Sequence, residues 1–186
     1  MLAVLLGLSA CGGSLEVPPP TQPPNPALAS PSAVPETGER GGGASDSDNR
    51  LAPLELYFQG LNAENLQMMS VAFLEPAGVD FYARQMDGYD READYWQTHR
   101  AGQSSLYNLA DGSSLQYAYS VEAETELENL TELEEQVASK YGETCTISEG
   151  YEVHFFQEVS DGTNSGGTSG LYFDVILVDG TWYLFW

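Results

Sequence analysis

Few side chains in this 186-residue chain are apt for chemistry: His99, His154, Cys11, Cys145 and Asp174, a carboxylate within an apolar run. Proton transfer would need such an imidazole or carboxylate buried, with its pKa displaced toward neutrality. The pattern along the chain argues otherwise. His154 shares its parity with Glu152 and Glu158, opposite Tyr151, Val153 and Phe155. Asp174 alternates with Phe173 and Val175, and His99 sits beside Arg100 near a helix end. Each is expected to be a solvated polar side chain, so no catalytic residue is assigned. Cys145 has no evident base and is expected to be an inert thiol. Isolated His and Cys residues do not make a zinc spacing. The Asp161-Gly-Thr-Asn-Ser string offers oxygens that suit calcium, but turn chemistry accounts for it equally well. No metal and no cofactor is expected.

Cys11 reads differently. Met1–Ala10 is MLAVLLGLSA, apolar but far short of the roughly 20 residues that span a bilayer. Leu8-Ser9-Ala10-Cys11 resembles the lipobox of bacterial lipoproteins. The resemblance implies cleavage after Ala10, a diacylglyceryl group on Cys11, and two-chain anchoring at the extracytoplasmic face of the cell membrane. No Lys or Arg precedes Arg40, although a signal peptide opens with positive charge. The natural start is therefore expected upstream.

Residues 12–50 are rich in Pro, Gly and Ser and nearly free of large apolar side chains. Such a segment cannot offset its ordering entropy and is expected to be a disordered stalk. It would reach about 120 Å if fully extended and about 35 Å as a coil.

Residues 51–186 are aromatic and acidic. Of 28 acids and six bases, five acids and two bases precede residue 51, which leaves the remainder at −19. Such a body repels nucleic acid, because phosphate binding needs Lys and Arg to release counterions.

The periodicity predicts helices first. Leu54, Tyr57, Phe58 and Leu61 recur at helical spacing, Asn62 suits a cap for a second turn, and Pro76 an end. The string Glu55–Gly60, ELYFQG, resembles a viral protease recognition site but fits the apolar stripe and reads as native. Gly78–Leu109 reads as helix in pieces, with Asp90 as a cap and Gly102 as an interruption. Leu115–Leu127 alternates between apolar odd positions and acidic even ones, a half-buried strand. Thr131-x-x-Glu134 is a capping box, and Gly142 suits a helix C-terminus. Thr146–Ser160 alternates again, the Gly/Ser-rich loop Asp161–Gly170 reverses the chain, and Leu171–Val178 returns. Asp179-Gly180 is a hairpin signal before a closing strand, Thr181–Trp186.

The order of helices, strand, helix and three antiparallel strands, with "YFQGLNAENLQMM", "LEEQVASKYG" and "DGTWYLFW", resembles the NTF2-like (cystatin-like) superfamily. It is also similar to Gram-positive lipoproteins of unknown function. The likeness implies an α+β fold: N-terminal helices packed on a curved antiparallel sheet of about four strands, shaped as a cone. Tyr117, Tyr119, Tyr151, Phe155, Phe173, Trp182 and Trp186 are the expected pocket or interface lining. Three functions follow in order. The first is a non-catalytic module binding a small ligand, peptide or envelope component. The second is a small isomerase/dehydratase-type enzyme with an ionisable group in the cone. The third is a protein-interaction or homodimerisation module using Trp182–Trp186.

Overall fold

The computed structural model describes residues 49–186. Cys11 and nearly all of the stalk lie outside the described residues. Helix α1 (Ala52–Asn62) has Pro53 in its first turn, where a fixed φ and a missing N–H are tolerated. It buries Leu54, Phe58 and Leu61. Gly60 is needed there, because a Cβ would lie 2.6 Å from the Met69 side chain and 2.7 Å from its backbone nitrogen. The ELYFQG string is thus an integral part of this helix.

The next turn begins later than its sequence signal. Asn65, not Asn62, caps α2 (Leu66–Ser70), accepting the Met68 N–H at 2.9 Å. Asn62 instead clamps the backbone of Tyr117: its Nδ2 donates to the carbonyl at 2.8 Å and its Oδ1 accepts the N–H at 2.7 Å. Pro76 opens a helix rather than closing one, in the first turn of α3 (Glu75–Gln85). Helix α4 (Glu92–Tyr107) runs unbroken through Gly102, with Arg91 rather than Asp90 at its N-cap. Glu92 Oε1 ties α4 to α2 by accepting from Leu66 N–H at 2.6 Å and Trp96 Nε1–H at 3.0 Å.

Strand β1 (Gln116–Glu126), helix α5 (Leu130–Tyr141) and strands β2 (Ile147–Ser160), β3 (Ser165–Val178) and β4 (Thr181–Phe185) follow. The sheet is antiparallel in the order β1-β2-β3-β4. The β3–β4 turn has Asp179 and Gly180 both at positive φ, 50° and 77°, as a two-residue primed hairpin requires. The β2–β3 reversal is shorter than the loop expected from its composition, because Ser165–Gly170 belongs to β3. Pairing with the long β2, through a register shift between Phe155 and Gln157, outweighs the weak strand preference of glycine. Two of those glycines are also sites of close approach: a Cβ on Gly166 would lie 2.6 Å from the Tyr107 ring, and one on Gly167 2.1 Å from the Phe156 ring.

The expected NTF2-like, cystatin-like cone does not form. The α+β class and the helix-on-sheet packing hold, but the four strands make an open sheet that neither curls nor closes. The physical reason lies at its edges, which are satisfied separately instead of approaching one another. The Asn62 amide occupies the Tyr117 backbone on the β1 side. On the β4 side Ala72–Leu74 lies alongside, with Leu184 N–H donating to Ala72 O at 2.8 Å and Leu74 N–H to Leu184 O at 3.1 Å. Each contact gives one point of its edge, Tyr117 on β1 and Leu184 on β4, a partner other than the opposite edge.

The two faces of the sheet are unlike. One carries Tyr117, Tyr119, Phe155, Phe173 and Val175 against α1: Phe58 sits 4.6 Å from Tyr119 and 5.8 Å from Phe155 between ring centroids, and Tyr57 5.2 Å from Phe173. The other is covered at one end by α5, since Leu127 and Leu130 carbons would lie 3.0 Å from a Cβ on Gly150, cross-strand from the buried Ile176. Helix α5 ends at Gly142 with φ 73°, as expected. Its anticipated capping box is not made: the helix starts at Leu130 with Asn129 at the N-cap, so Thr131 lies inside it, and Glu134 accepts the Ile147 N–H at 2.7 Å.

Candidate functional site

The cleft that best suits a ligand lies between helices α1 and α4 and strands β2 and β3. Its volume is about 440 Å³, within the range of small-molecule sites. Helix α1 contributes Tyr57 and Leu61, and α4 contributes His99, Gln103, Leu106 and Tyr107. Strand β2 supplies Phe155 and Gln157, and β3 supplies Thr168 and Leu171–Phe173. The helical spacing explains the α4 set. His99 and Gln103 are four residues apart, as are Gln103 and Tyr107, so all three share one helix face.

The back wall is aromatic. Phe155 and Phe173 stack with centroids 5.6 Å apart, and Tyr57 meets Phe173 edge-on. Tyr107 is held across the cleft by a hydrogen bond between its hydroxyl and Thr168 Oγ1. Leu106 and Tyr172, two of the large apolar side chains most exposed to solvent, border the opening. Tyr172 reaches the rim from the other sheet face, where its ring lies 5.4 Å from that of His154.

His99 is where sequence reasoning failed most. It was expected near a solvated helix end. It lies instead in mid-α4, stacked 5.7 Å from Tyr95 and within 5.9 Å of Trp96 and Tyr117. Burial holds its pKa below the ordinary value, with the Glu64 and Arg100 charges as smaller, opposing influences. The imidazole is therefore neutral at pH 7. Its Nε2, Gln103 Oε1 and the Tyr117 hydroxyl oxygen are buried without a hydrogen-bond partner among the described residues. Unpaired polar atoms are uncommon in native interiors, and the Tyr141 hydroxyl is a further example away from the cleft. The helical spacing from Tyr95 to His99 carried the signal, since both fall on one face of a helix.

Of the other expected lining residues, Phe155 and Phe173 are in this cleft. Tyr117 and Tyr119 border a shallower groove with Glu55 and Asn62. Tyr151 and Trp182 pair with each other at 6.0 Å near the far end of the sheet. Trp186 packs on Phe73 and Phe81, at 4.9 and 5.5 Å, and is capped by the Arg84 guanidinium. These seven residues therefore occupy four places.

A larger recess of about 720 Å³ lies on the outer side of α4, lined by Glu64, Arg100, Asp111 and Ser113 among others. No aromatic or large aliphatic side chain among the described residues lines it, and Arg100 there is already paired with Glu64. The aromatic cleft is the better candidate despite its smaller size.

The open sheet face holds the rest. His154 and Glu152 meet at 2.6 Å, as their shared parity implied, and Glu122 reaches over to Ser169 Oγ and Gly170 N–H. Asp174 faces the same way, its pKa raised by partial burial and by the neighbouring Glu152. Among the described residues no group of three or more His, Cys, Asp or Glu is placed to hold a metal ion. Asp161 spends its carboxylate on the backbone N–H groups of Asn164, Ala110 and Thr163, which lower its pKa to about 2. Its loop is a built turn. Burial pushes the Cys145 thiol up, away from thiolate reactivity, aided by Glu134. No described helix is long and apolar enough to cross a membrane. Comparisons with protein-family models, with curated proteins and with solved structures find no match to this chain.

Proposed function

We propose that this protein is a non-catalytic binding module, held at the outer face of a membrane by acylated Cys11, whose aromatic cleft takes a small, mostly apolar ligand. The observation that carries the reading is that cleft. It has room for a small molecule, aromatic and aliphatic walls, a few convergent polar groups, and two exposed apolar side chains at its mouth. The lipobox-like string and the Pro-rich stalk support the anchor.

The binding reading is tested by titrating the unlipidated full chain with the uncharged dye Nile red. Saturable fluorescence enhancement is expected, with amide chemical shifts moving at Gln103, Leu106, Phe155 and Phe173. Non-saturable enhancement, or shifts confined to other surfaces, would overturn it. The anchor is tested by growing expressing bacteria with an alkyne fatty acid. The wild type should carry the label in the membrane pellet, and Cys11→Ser should lose both label and pelleting. A wild type without label sinks the anchor.

One observation favours a second reading, an isomerase/dehydratase type of enzyme. His99 is a neutral imidazole set in the cleft wall, the state a general base needs. Among the described residues no carboxylate lines the cleft beside it, which is why binding is placed first.

A further inference from the structure

The cleft also carries a statement about charge. We propose that its ligand is a small organic cation, a quaternary or alkylated ammonium group with an apolar body, an inference that rests on the binding reading above. Three observations converge. First, five aromatic residues line the cleft, Tyr57, Tyr107, Phe155, Tyr172 and Phe173, of which Tyr172 is the most open to solvent. Aromatic rings are the groups that recognise alkylated ammonium ions, through attraction between the cation and the ring quadrupole. Second, among the described residues no Lys, Arg, Asp or Glu lines the cleft. An anion finds no counter-charge there, and a cation with a diffuse charge needs no single carboxylate. The polar lining, Gln103, Gln157 and Thr168, offers neutral oxygens to the polarised C–H groups around such a nitrogen. Third, the body beyond residue 50 carries −19. A field of that sign raises the local concentration of cations and repels anions.

His99 fits the same picture, because burial among Tyr95, Trp96 and Tyr117 keeps it uncharged. A protonated imidazole would compete with a bound cation.

The experiment compares choline with its neutral carbon isostere, 3,3-dimethyl-1-butanol, by chemical-shift titration of the unlipidated full chain. The two probes share shape and hydroxyl and differ in charge. Choline is expected to bind at least tenfold more tightly, with shifts at Gln103, Leu106 and Phe173. Leu106→Lys puts a positive charge at the exposed mouth of the cleft and should weaken choline several-fold more than it weakens the alcohol. Equal or tighter binding of the alcohol overturns the cation class, as does choline perturbing residues outside the cleft. The two proposals fail separately. Saturable Nile red binding without choline binding removes only the cation, whereas loss of both removes the cleft as a ligand site.

Discussion

The two faces of one sheet give this domain two characters, and strand β2 shows the contrast within two residues. Phe155 is 3% exposed, stacked on Phe173 and touched by Phe58. His154, its neighbour, points the other way to Glu152 and Tyr172 at a partly solvated surface. A period of two sends adjacent residues into opposite environments, so the helix-covered face holds the packing energy and the cleft. The other face carries charge, with Glu122 and Glu152 beside the half-buried Asp174, and is covered by α5 at the end where Ile176 is buried. The same fourteen-residue strand serves a ligand-sized cleft and a solubilising surface because side-chain direction alone separates them.

That contrast can be broken first at Phe155. Phe155→Ala should cost about 3–5 kcal/mol of unfolding free energy, read by urea denaturation, because it removes a ring from a packed aromatic layer. A loss below about 1 kcal/mol would mean that the layer collapses around the gap. Gly166→Ala comes next. The new methyl would push Tyr107, and with it α4, away from β3, for an expected loss of about 1–3 kcal/mol. It should also disturb the amide shifts that line the cleft.

On the open face the expected effects are small, and one reverses sign. Asp174 has a raised pKa, so the folded state holds its proton more tightly than the unfolded chain does. Above both pKa values the ionised carboxylate therefore costs stability, and that cost fades as pH falls through the raised value toward the ordinary one. Asp174→Asn should accordingly raise stability at pH 7 by up to about 1 kcal/mol. The gain should vanish in melts run near pH 3. A gain that persists at low pH would assign it to packing instead of charge. His154→Ala should change stability by no more than about 0.5 kcal/mol, since its ion pair with Glu152 is solvated and screened. A large loss there would show that the open face is more than a solvated surface.

Much of the fold was legible where local chemistry and tertiary context agree. The spans of β1, β2 and β4, the Asp179-Gly180 turn, the glycine ending α5 and the facing of His154 and Asp174 all follow from side-chain period and backbone preference. The alternation in β1 was legible only in part. A register shift between Val121 and Ala123 brings Glu124 and Glu126 opposite Val153 and Tyr151, where Arg50 meets Glu124. A bulge of this kind leaves no sign in a periodic sequence, because it is set by the strand alongside.

Caps were the least reliable signals for a related reason. Asn62 and Glu134 have side chains suited to local capping, but both bond to distant backbone, at Tyr117 and Ile147. A short polar side chain satisfies whichever orphaned N–H packing brings nearest, and sequence cannot rank a near donor against a distant one.

The sequence by itself determined what depends on neighbours along the chain: most of the helix and strand segments, how side chains alternate, an acidic body preceded by a Pro-rich segment, and the lipobox-like string at Cys11. Only the tertiary structure decided that the sheet stays open, that the Gly-rich stretch 165–170 is strand, and that His99 lies against a cleft. Those outcomes rest on pairings of residues far apart in sequence: Leu184 with Ala72–Leu74, Tyr107 with Gly166, and His99 with Tyr117. Local preference differs among backbone states by only about 1 kcal/mol per residue, and burial of a single large side chain exceeds that.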